Sequence, residues 1–161
     1  MIKVLFICHG NICRSPMAEF VMKDLVEKRG LSDLFEIASA ATSSEEIGNG
    51  VHYGTRERLA KEGIHCVGKQ ARQITEADYD NYDYLIGMDR YNISNMHRIF
   101  EQDGKRKIYM LLEFTGRHAD IADPWYTNDF DATYDDVLEG CTALLDFILS
   151  GKDICDVCIQ Y

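Results

Sequence analysis

The sequence predicts an α/β fold, a three-layer sandwich in which helices pack on both faces of a parallel sheet. Predicted strands and helices alternate along the chain, and that order is typical of a parallel sheet with right-handed crossovers. The first predicted strand, residues 2–7, is apolar throughout instead of alternating, as expected for a strand covered on both faces. With 161 residues, of which 46% are hydrophobic, the chain is long enough to bury one hydrophobic core.

Four strands and four principal helices follow in order. The strands are predicted at residues 2–7, 35–39, 82–88 and 107–111. The helices are predicted at residues 17–26, 55–62, 90–100 and 133–149. Apolar residues recur at helical spacing in the first and last helices, and Gly30 and Gly63 are natural stops after the first and second. No repeat or linker interrupts the chain, so we expect a single domain at residues 1–150 and a flexible C-terminal tail at residues 151–161.

The composition excludes several classes of function. A net charge of −10 argues against a broad surface for nucleic acid or for membranes. The chain has no apolar run long enough to cross a bilayer, and its N-terminus lacks the cleavage site of a signal peptide. We therefore expect a cytoplasmic protein. Six cysteines would suit a disulfide framework in a secreted protein, but here we expect free, catalytic or redox thiols.

The end of the first strand carries the strongest functional pattern, because ligands of such sheets bind beyond the carboxyl ends of the strands. The stretch that follows this strand reads Cys8-His9-Gly10-Asn11-Ile12-Cys13-Arg14-Ser15-Pro16. Backbone N–H groups of a tight loop and of a helix N-terminus converge on one point and attract an anion. Gly10 is expected to permit a turn that other residues resist. The order strand, short loop, helix therefore predicts a phosphate cradle.

Three side chains add chemistry to this cradle. Arg14 carries a planar guanidinium that matches two phosphate oxygens. Cys8 lies at the base of the loop, where the same donors stabilise its thiolate and make it a candidate nucleophile. The hydroxyl of Ser15 is placed to donate to the sulfur. A cysteine at a strand end is more often a small buried hydrophobe. The coincidence with the strand, the glycine, the serine and the proline favours catalysis.

These residues resemble the signature of the low-molecular-weight protein tyrosine phosphatases. The resemblance runs from Cys8 to Glu19 and continues, as far as about residue 150, in Ser39-Ala40-Ala41-Thr42, Ala71-Arg72-Gln73, Asp83-Tyr84, Met88-Asp89 and Asp123-Pro124-Trp125-Tyr126. It implies a flavodoxin-like phosphotyrosine phosphatase I fold with strand order 2-1-3-4 and no metal or organic cofactor. It also implies phosphotyrosine proteins and small aryl phosphates as substrates, and inorganic phosphate or sulfate as further occupants of the loop.

Cleavage of a phosphate monoester requires a carboxylic acid that protonates the leaving oxygen. From the residues alone, Asp123 competes with Asp120, Asp129 and Asp131, and the proline and aromatic pair that follow it favour it. The resemblance assigns Asp123 as the general acid and base. It implies that the Cys8 thiolate attacks phosphorus and that water, activated by Asp123, hydrolyses the resulting cysteinyl phosphate.

The resemblance also assigns residues that support the loop. Asn11 and Ser39 would hold its strained backbone, although on chemistry alone both are equally well ordinary polar turn residues. The histidine that the family usually has before Ala-Arg-Gln is replaced by Lys69, and His65 lies four residues too early to substitute for it. The sequence therefore does not assign the residue that takes the place of this histidine in supporting the loop.

The expected lining of the substrate cleft is His9, Ile12, Trp125, Tyr126 and Glu45. Trp125 would otherwise be a core aromatic, but its place beside a proline in a polar loop favours a wall on which a phenyl ring stacks. Two departures from the family concern this cleft. Glu45 occupies the place where an aromatic often closes it, and the usual Asp-Pro-Arg is lost in His52-Tyr53-Gly54.

Three other functions compete with tyrosine dephosphorylation. Thioredoxin-coupled arsenate reductases share this fold and loop, but typically have Gln after the Ser and a mid-chain Cys pair, where this chain has Pro16 and a lone Cys66. Protein-arginine phosphatases have Thr in place of Ile12, and an apolar residue there leaves room for an aryl ring. A catalytically silent phosphotyrosine-binding module would not need the intact nucleophile, arginine and acid.

The remaining cysteines lead to two expectations. Cys13 shares the loop with Cys8, so we expect a reversible disulfide that protects Cys8 from over-oxidation. Cys155 and Cys158 form a CxxC, for which half a zinc site and a redox pair are alternatives. No second CxxC or His pair accompanies it in the sequence, so a loosely packed tail is favoured. The expected oligomeric state is a monomer or a weak dimer.

Overall fold

The computed structural model describes residues 1–101 and 103–151. The strands are β1 (Ile2–Cys8), β2 (Phe35–Ala41), β3 (Tyr84–Gly87) and β4 (Ile108–Met110). They form one parallel sheet in the order β2-β1-β3-β4, which confirms the predicted fold class and strand order. The helices are α1 (Arg14–Lys28), α2 (Tyr53–Ala60), α3 (Glu76–Asn81), α4 (Arg90–Phe100), α5 (Pro124–Thr127) and α6 (Phe130–Ser150). Two 3₁₀ turns, Ser32–Leu34 and Leu111–Thr115, precede β2 and follow β4.

The inner strand β1 divides its side chains between two cores. Val4 and Phe6 pack with residues of α1 and α6 on one face, whereas Leu5 and Ile7 pack with residues of α4 on the other. All four are fully buried, and each side chain of this kind stabilises a fold by about 1.5–3 kcal/mol. Burial on both faces explains the continuous apolar run, and it fixes the carboxyl end of β1 between the two helical layers.

Helix bounds differ from the sequence prediction where caps and polar contacts decide them. α1 begins at Arg14, so that Pro16 lies in its first turn, where its missing N–H leaves no bond unmade. α6 begins at Phe130 because the carboxylate of Asp129 accepts from the N–H of Ala132 (2.9 Å). α3 is absent from the prediction because its six residues are mostly polar, and a capping box that starts at Thr75 defines it.

The third strand is shorter than predicted and begins at Tyr84. The N–H of Lys3 donates to the carboxylate of Asp83 (2.8 Å), and a side chain thus takes the place of a strand partner.

Within the part of the chain that the structure describes, no helix is long and apolar enough to cross a membrane. The predicted tail, with Cys155 and Cys158, lies outside the described residues except for Gly151, which ends α6 in a left-handed conformation.

Candidate active site

The loop between β1 and α1 turns tightly around the sulfur of Cys8. Asn11, at its centre, has a φ of 60°, in the left-handed region that asparagine adopts more readily than most residues. The prediction that gave this turn to Gly10 was wrong, since Gly10 is not among the glycines with positive φ. The N–H of Asn11 donates to Sγ of Cys8 (3.3 Å). The sulfur thus faces the loop and the N-terminus of α1, whose first N–H groups have no partner within the helix.

A buried chain of hydrogen bonds supports Cys8, and its direction follows from its contacts. Oδ1 of Asn11 accepts from the N–H of Arg72 (3.2 Å), so its amide Nδ2 is the donor to Oγ of Ser15 (2.8 Å) and of Ser39 (2.9 Å). Because the oxygen of Ser15 accepts from Asn11, its own proton can point at the sulfur of Cys8, 3.0 Å away. This direction matches the donor role that the sequence suggests for Ser15.

Glu19 closes the far end of this chain and was not identified from the sequence. Its buried carboxylate accepts from the hydroxyl of Ser39 (2.6 Å) and pairs with Lys23 (2.6 Å) and Lys69 (3.3 Å). Lys69 also donates to the main-chain oxygen of Ser39 (2.9 Å). Burial lowers the pKa of Lys69, and Glu19 opposes that shift. Lys69 therefore joins the hydrogen-bonded support of the loop. A carboxylate among the apolar residues of α1 was the available signal for Glu19.

Arg14 opens α1 with a guanidinium that is almost fully buried, its side chain being 4% exposed. Nη1 donates to Oδ2 of Asp89 (2.6 Å) and to the main-chain oxygen of Ile121 (2.9 Å), which uses both of its hydrogens. The edge formed by Nε and Nη2 is left as a fork for two oxygens of an anion. Burial disfavours the cation, but the nearby Cys8 and Asp89 together raise the pKa of Arg14.

Asp89 is a second residue that the sequence analysis did not assign to the site. It follows β3 by two residues and also caps α4, because Oδ1 accepts from the N–H of Asn92 (2.8 Å). Its place beyond the carboxyl end of a strand next to β1 is the signal that would have found it.

The structure separates Asp123 from the other carboxylates of its segment. Asp123 caps α5, with Oδ1 accepting from the N–H of Trp125 (3.1 Å), and Oδ2 lies 3.5 Å from Nη2 of Arg14. By contrast, Asp120 binds the exposed Arg90, Asp129 caps α6 and Asp131 pairs with Arg58, as their contacts show. Of these four carboxylates, only Asp123 lines the pocket described next.

One pocket of about 200 Å³ joins these groups. It is lined by Cys8, His9, Gly10, Ile12, Cys13, Arg14, Glu45, Glu46, Asp123, Trp125 and Tyr126. Trp125 and Tyr126 are 57% and 84% exposed, so neither is a core aromatic. Nε2 of His9 lies 3.0 Å from Oε2 of Glu45. Every residue expected in the cleft is in this lining, Glu46 is an addition, and Asn11, Ser15 and Ser39 lie outside it as buried support.

Comparison with known proteins identifies the family. The family model described as low molecular weight phosphotyrosine protein phosphatase matches residues 3–153. The chain belongs to this phosphatase family. The resemblance suggested by the loop sequence is thereby confirmed over nearly the whole chain.

Individual relatives of the phosphatase agree with this assignment. YfkJ of Bacillus subtilis (strain 168), named a low molecular weight protein-tyrosine-phosphatase, is 41% identical over 156 residues, which cover 96% of this chain and 100% of YfkJ. The crystal structure of YfkJ matches with a TM-score of 0.91 over 95% of this chain and 98% of that one. SP-PTP of Streptococcus pyogenes, titled a low molecular weight protein tyrosine phosphatase, is 43% identical, with a TM-score of 0.82 and 95% of each chain covered. A Drosophila protein titled an arginine phosphatase, DARP, is 32% identical, with a TM-score of 0.85 over 94% of this chain and 100% of that one.

The described cysteines of the phosphatase, Cys8, Cys13, Cys66 and Cys141, are all free thiols. Burial, together with the neighbouring Cys8 and Asp123, raises the pKa of Cys13 to about 12. Cys13 is therefore a neutral thiol near pH 7. No group of three or more His, Cys, Asp or Glu side chains that could hold a metal ion occurs within residues 1–101 and 103–151.

Proposed function

We propose that this protein tyrosine phosphatase works through Cys8 as nucleophile, Arg14 as phosphate clamp and Asp123 as general acid and base. The observation that carries the proposal is that these three side chains line the same pocket. In the first step the thiolate attacks phosphorus in line, while the protonated carboxyl of Asp123 gives its proton to the leaving oxygen. The N–H groups of the loop and the Nε–Nη2 edge of Arg14 hold the equatorial oxygens as charge redistributes.

The second step uses the same groups in reverse roles. The carboxylate of Asp123 takes a proton from water, which attacks the cysteinyl phosphate, and the thiolate of Cys8 leaves. Ser15 assists because its proton can point at the sulfur, 3.0 Å away, where it stabilises the departing thiolate. The proposed reaction thus needs no metal or organic cofactor.

The proposed substrates are phosphotyrosine in proteins and small aryl phosphates. A phenyl ring would pass between Ile12 at the pocket wall and the exposed ring of Trp125, with Tyr126, His9 and Glu45 at the mouth. Phosphoarginine is the alternative substrate, and its turnover must be measured beside that of phosphotyrosine. The wider setting stays a prediction: one phosphatase domain at residues 1–150, a monomer or weak dimer, and a place in the cytoplasm.

We also propose that Cys13 is a redox partner for Cys8. Peroxide would convert the Cys8 thiolate to a sulfenic acid, and the sulfur of Cys13 would displace water from it to close a disulfide. Burial and the neighbouring Cys8 raise the pKa of Cys13 to about 12, so this closure should be slow near pH 7. Mass spectrometry after mild peroxide treatment tests it: a Cys8 sulfonate with Cys13 still free would oppose the proposal.

Steady-state kinetics of purified variants test the catalytic assignment. Cys8→Ser and Arg14→Met should abolish hydrolysis of 4-nitrophenyl phosphate, and Asp123→Asn should lower it by roughly 10²-fold or more. The wild-type protein should turn over phosphotyrosine, with little activity on phosphoarginine or arsenate. Retained hydrolysis by Cys8→Ser would overturn the assignment, and preferential turnover of phosphoarginine would replace the proposed substrate.

A further inference from the structure

His52 lies where the phosphate-binding loop, α2 and the segment carrying Asp123 meet. Its main-chain N–H donates to the oxygen of Ile12 (2.8 Å), which connects it to the loop around Cys8. Its Nδ1 accepts from the N–H of Gly54 (3.0 Å) and caps α2, which begins two residues earlier than the sequence predicts. Since Nδ1 is an acceptor, the proton of the neutral ring is on Nε2.

The ring of His52 contacts three aromatic side chains, one of which is its neighbour Tyr53, with centroids 4.7 Å apart. It stacks on Phe130, the first residue of α6, with centroids 5.2 Å apart and an interplanar angle of 17°. It meets the edge of Trp125 in α5 at 5.8 Å and 78°. The fit is close, since a Cβ added to Gly54 would lie 2.4 Å from the ring of Phe130.

The hydrogen bonds of α5 connect it to the rest of the chain mainly at its N-terminal end. On its N-terminal side, the chain is anchored at Ile121, whose oxygen accepts from Arg14 and whose N–H donates to Met88 (2.9 Å each). Beyond Asp123, every recorded hydrogen bond of residues 124–128 is to a residue between 123 and 129. Among residues 1–101 and 103–151, Trp125 makes one contact with another aromatic ring, that of His52. Pro124 is buried and holds the start of α5, and the packing of Trp125 against this histidine holds the helix beyond it.

We propose that His52 is a positioning residue for acid catalysis, which holds Trp125, and through it Asp123, in register with Cys8. The link is short, because the N–H of Trp125 donates to Oδ1 of Asp123 (3.1 Å). A shift of Trp125 moves the carboxyl that must reach the leaving oxygen, and proton transfer is sensitive to displacements of about 1 Å. The inference rests on the proposed role of Asp123 as the acid.

Two variants separate the ring of His52 from its cap. His52→Asn keeps an oxygen that can cap α2 but removes the ring, whereas His52→Phe keeps a ring but removes the cap. Substrates with different leaving groups report on protonation: 4-nitrophenolate leaves readily without a proton, whereas phenolate, with a conjugate acid of pKa about 10 like that of tyrosine, needs one. The measurement is kcat/KM for 4-nitrophenyl phosphate and for phenyl phosphate.

We expect His52→Asn to lower kcat/KM about 10-fold for phenyl phosphate and less than about 3-fold for 4-nitrophenyl phosphate. His52→Phe should stay within about 3-fold of wild type on both substrates. Three results would overturn the positioning role. In His52→Asn, kcat/KM could fall equally for the two substrates, or it could fall for neither. In His52→Phe, the selective fall in kcat/KM for phenyl phosphate could be larger than in His52→Asn. Asp123→Asn is measured in parallel. If its kcat/KM does not fall more for phenyl phosphate than for 4-nitrophenyl phosphate, the assignment of Asp123 as the acid fails. If Asp123→Asn shows this difference between the substrates and His52→Asn does not, only the role of His52 is refuted.

Discussion

Asp89 offers the sharpest test of how the guanidinium of Arg14 is held. Its two carboxylate oxygens have separate partners: Oδ2 accepts from Nη1 of Arg14 (2.6 Å) and Oδ1 accepts from the N–H of Asn92 (2.8 Å). An asparagine at this position has a single oxygen. Asp89→Asn must therefore give up either the cap of α4 or the contact with Arg14, where its NH₂ would face another donor.

The expected loss of stability follows from these contacts. Breaking a buried ion pair costs about 3–5 kcal/mol when the remaining charge has no other partner. Arg14 keeps the oxygen of Ile121 and the carboxylate of Asp123 at 3.5 Å, and the side chain of Asp89 is 14% exposed. We therefore expect a loss of about 2–3 kcal/mol, which for a domain of this size lowers Tm by about 5–10 °C. A freer guanidinium should also lower kcat/KM roughly 10- to 100-fold.

Thermal unfolding and 4-nitrophenyl phosphate kinetics measure both effects. Asp120→Asn is a matched control, because it removes a carboxylate from a neighbouring loop whose partner, Arg90, is exposed. An exposed pair contributes less than about 1 kcal/mol, so the control should keep nearly the wild-type Tm and kcat/KM. If Asp89→Asn matched Asp120→Asn in both measurements, the reasoning about Arg14 would be refuted.

Three further predictions concern the support of the loop and its thiols. Ser39→Ala removes one hydrogen-bond partner from the buried amide of Asn11 and one from the buried carboxylate of Glu19, and should cost about 1–3 kcal/mol in urea unfolding together with a lower kcat; an unchanged unfolding midpoint would contradict the buried hydrogen-bond chain. Because burial lowers the pKa of Lys69, the ammonium group of Lys69 loses its proton at a lower pH in the native protein than in the unfolded chain. The free energy of unfolding of the wild type, relative to that of Lys69→Met, should therefore rise as the pH approaches 10.5. A difference that stayed constant or fell between about pH 8 and pH 10 would contradict the lowered pKa of Lys69. Because burial raises the pKa of Cys13 to about 12, iodoacetate at about pH 8 should alkylate Cys8 and spare Cys13, and peptide mass spectrometry that found both modified equally fast would contradict this.

Much of the fold could be predicted because the decisive signals are local in sequence. Local patterns predict β1 from its continuous apolar run, α6 from apolar residues at helical spacing, and the ends of the first two predicted helices from the glycines that follow them. The structure contains these elements, with ends shifted by up to three residues from the prediction. α3 was not predicted because a short polar helix has no periodic pattern of hydrophobic residues, and the hydrogen bonds of its capping box form only in the folded chain.

The site was predictable where one segment supplies its parts and not where distant segments meet. The loop with Cys8 and Arg14 is contiguous, so its content could be inferred from the sequence. Glu19 and Asp89 act through contacts with Ser39 and Arg14 that only the folded chain creates. From the residues alone, the choice among the carboxylates near Asp123 was likewise open, because the contacts that distinguish them form only in the folded chain.

During turnover, the phosphoryl group of the substrate is expected to be bound covalently to the sulfur of Cys8. The direct test is rapid acid quench of Asp123→Asn during turnover of 4-nitrophenyl phosphate, followed by peptide mass spectrometry. Without its base, this variant should accumulate the intermediate, and the peptide containing Cys8 should carry the mass of one phosphoryl group, absent from Cys8→Ser. Turnover by Asp123→Asn with no phosphoryl group on that peptide, or with the group on another residue, would contradict the account.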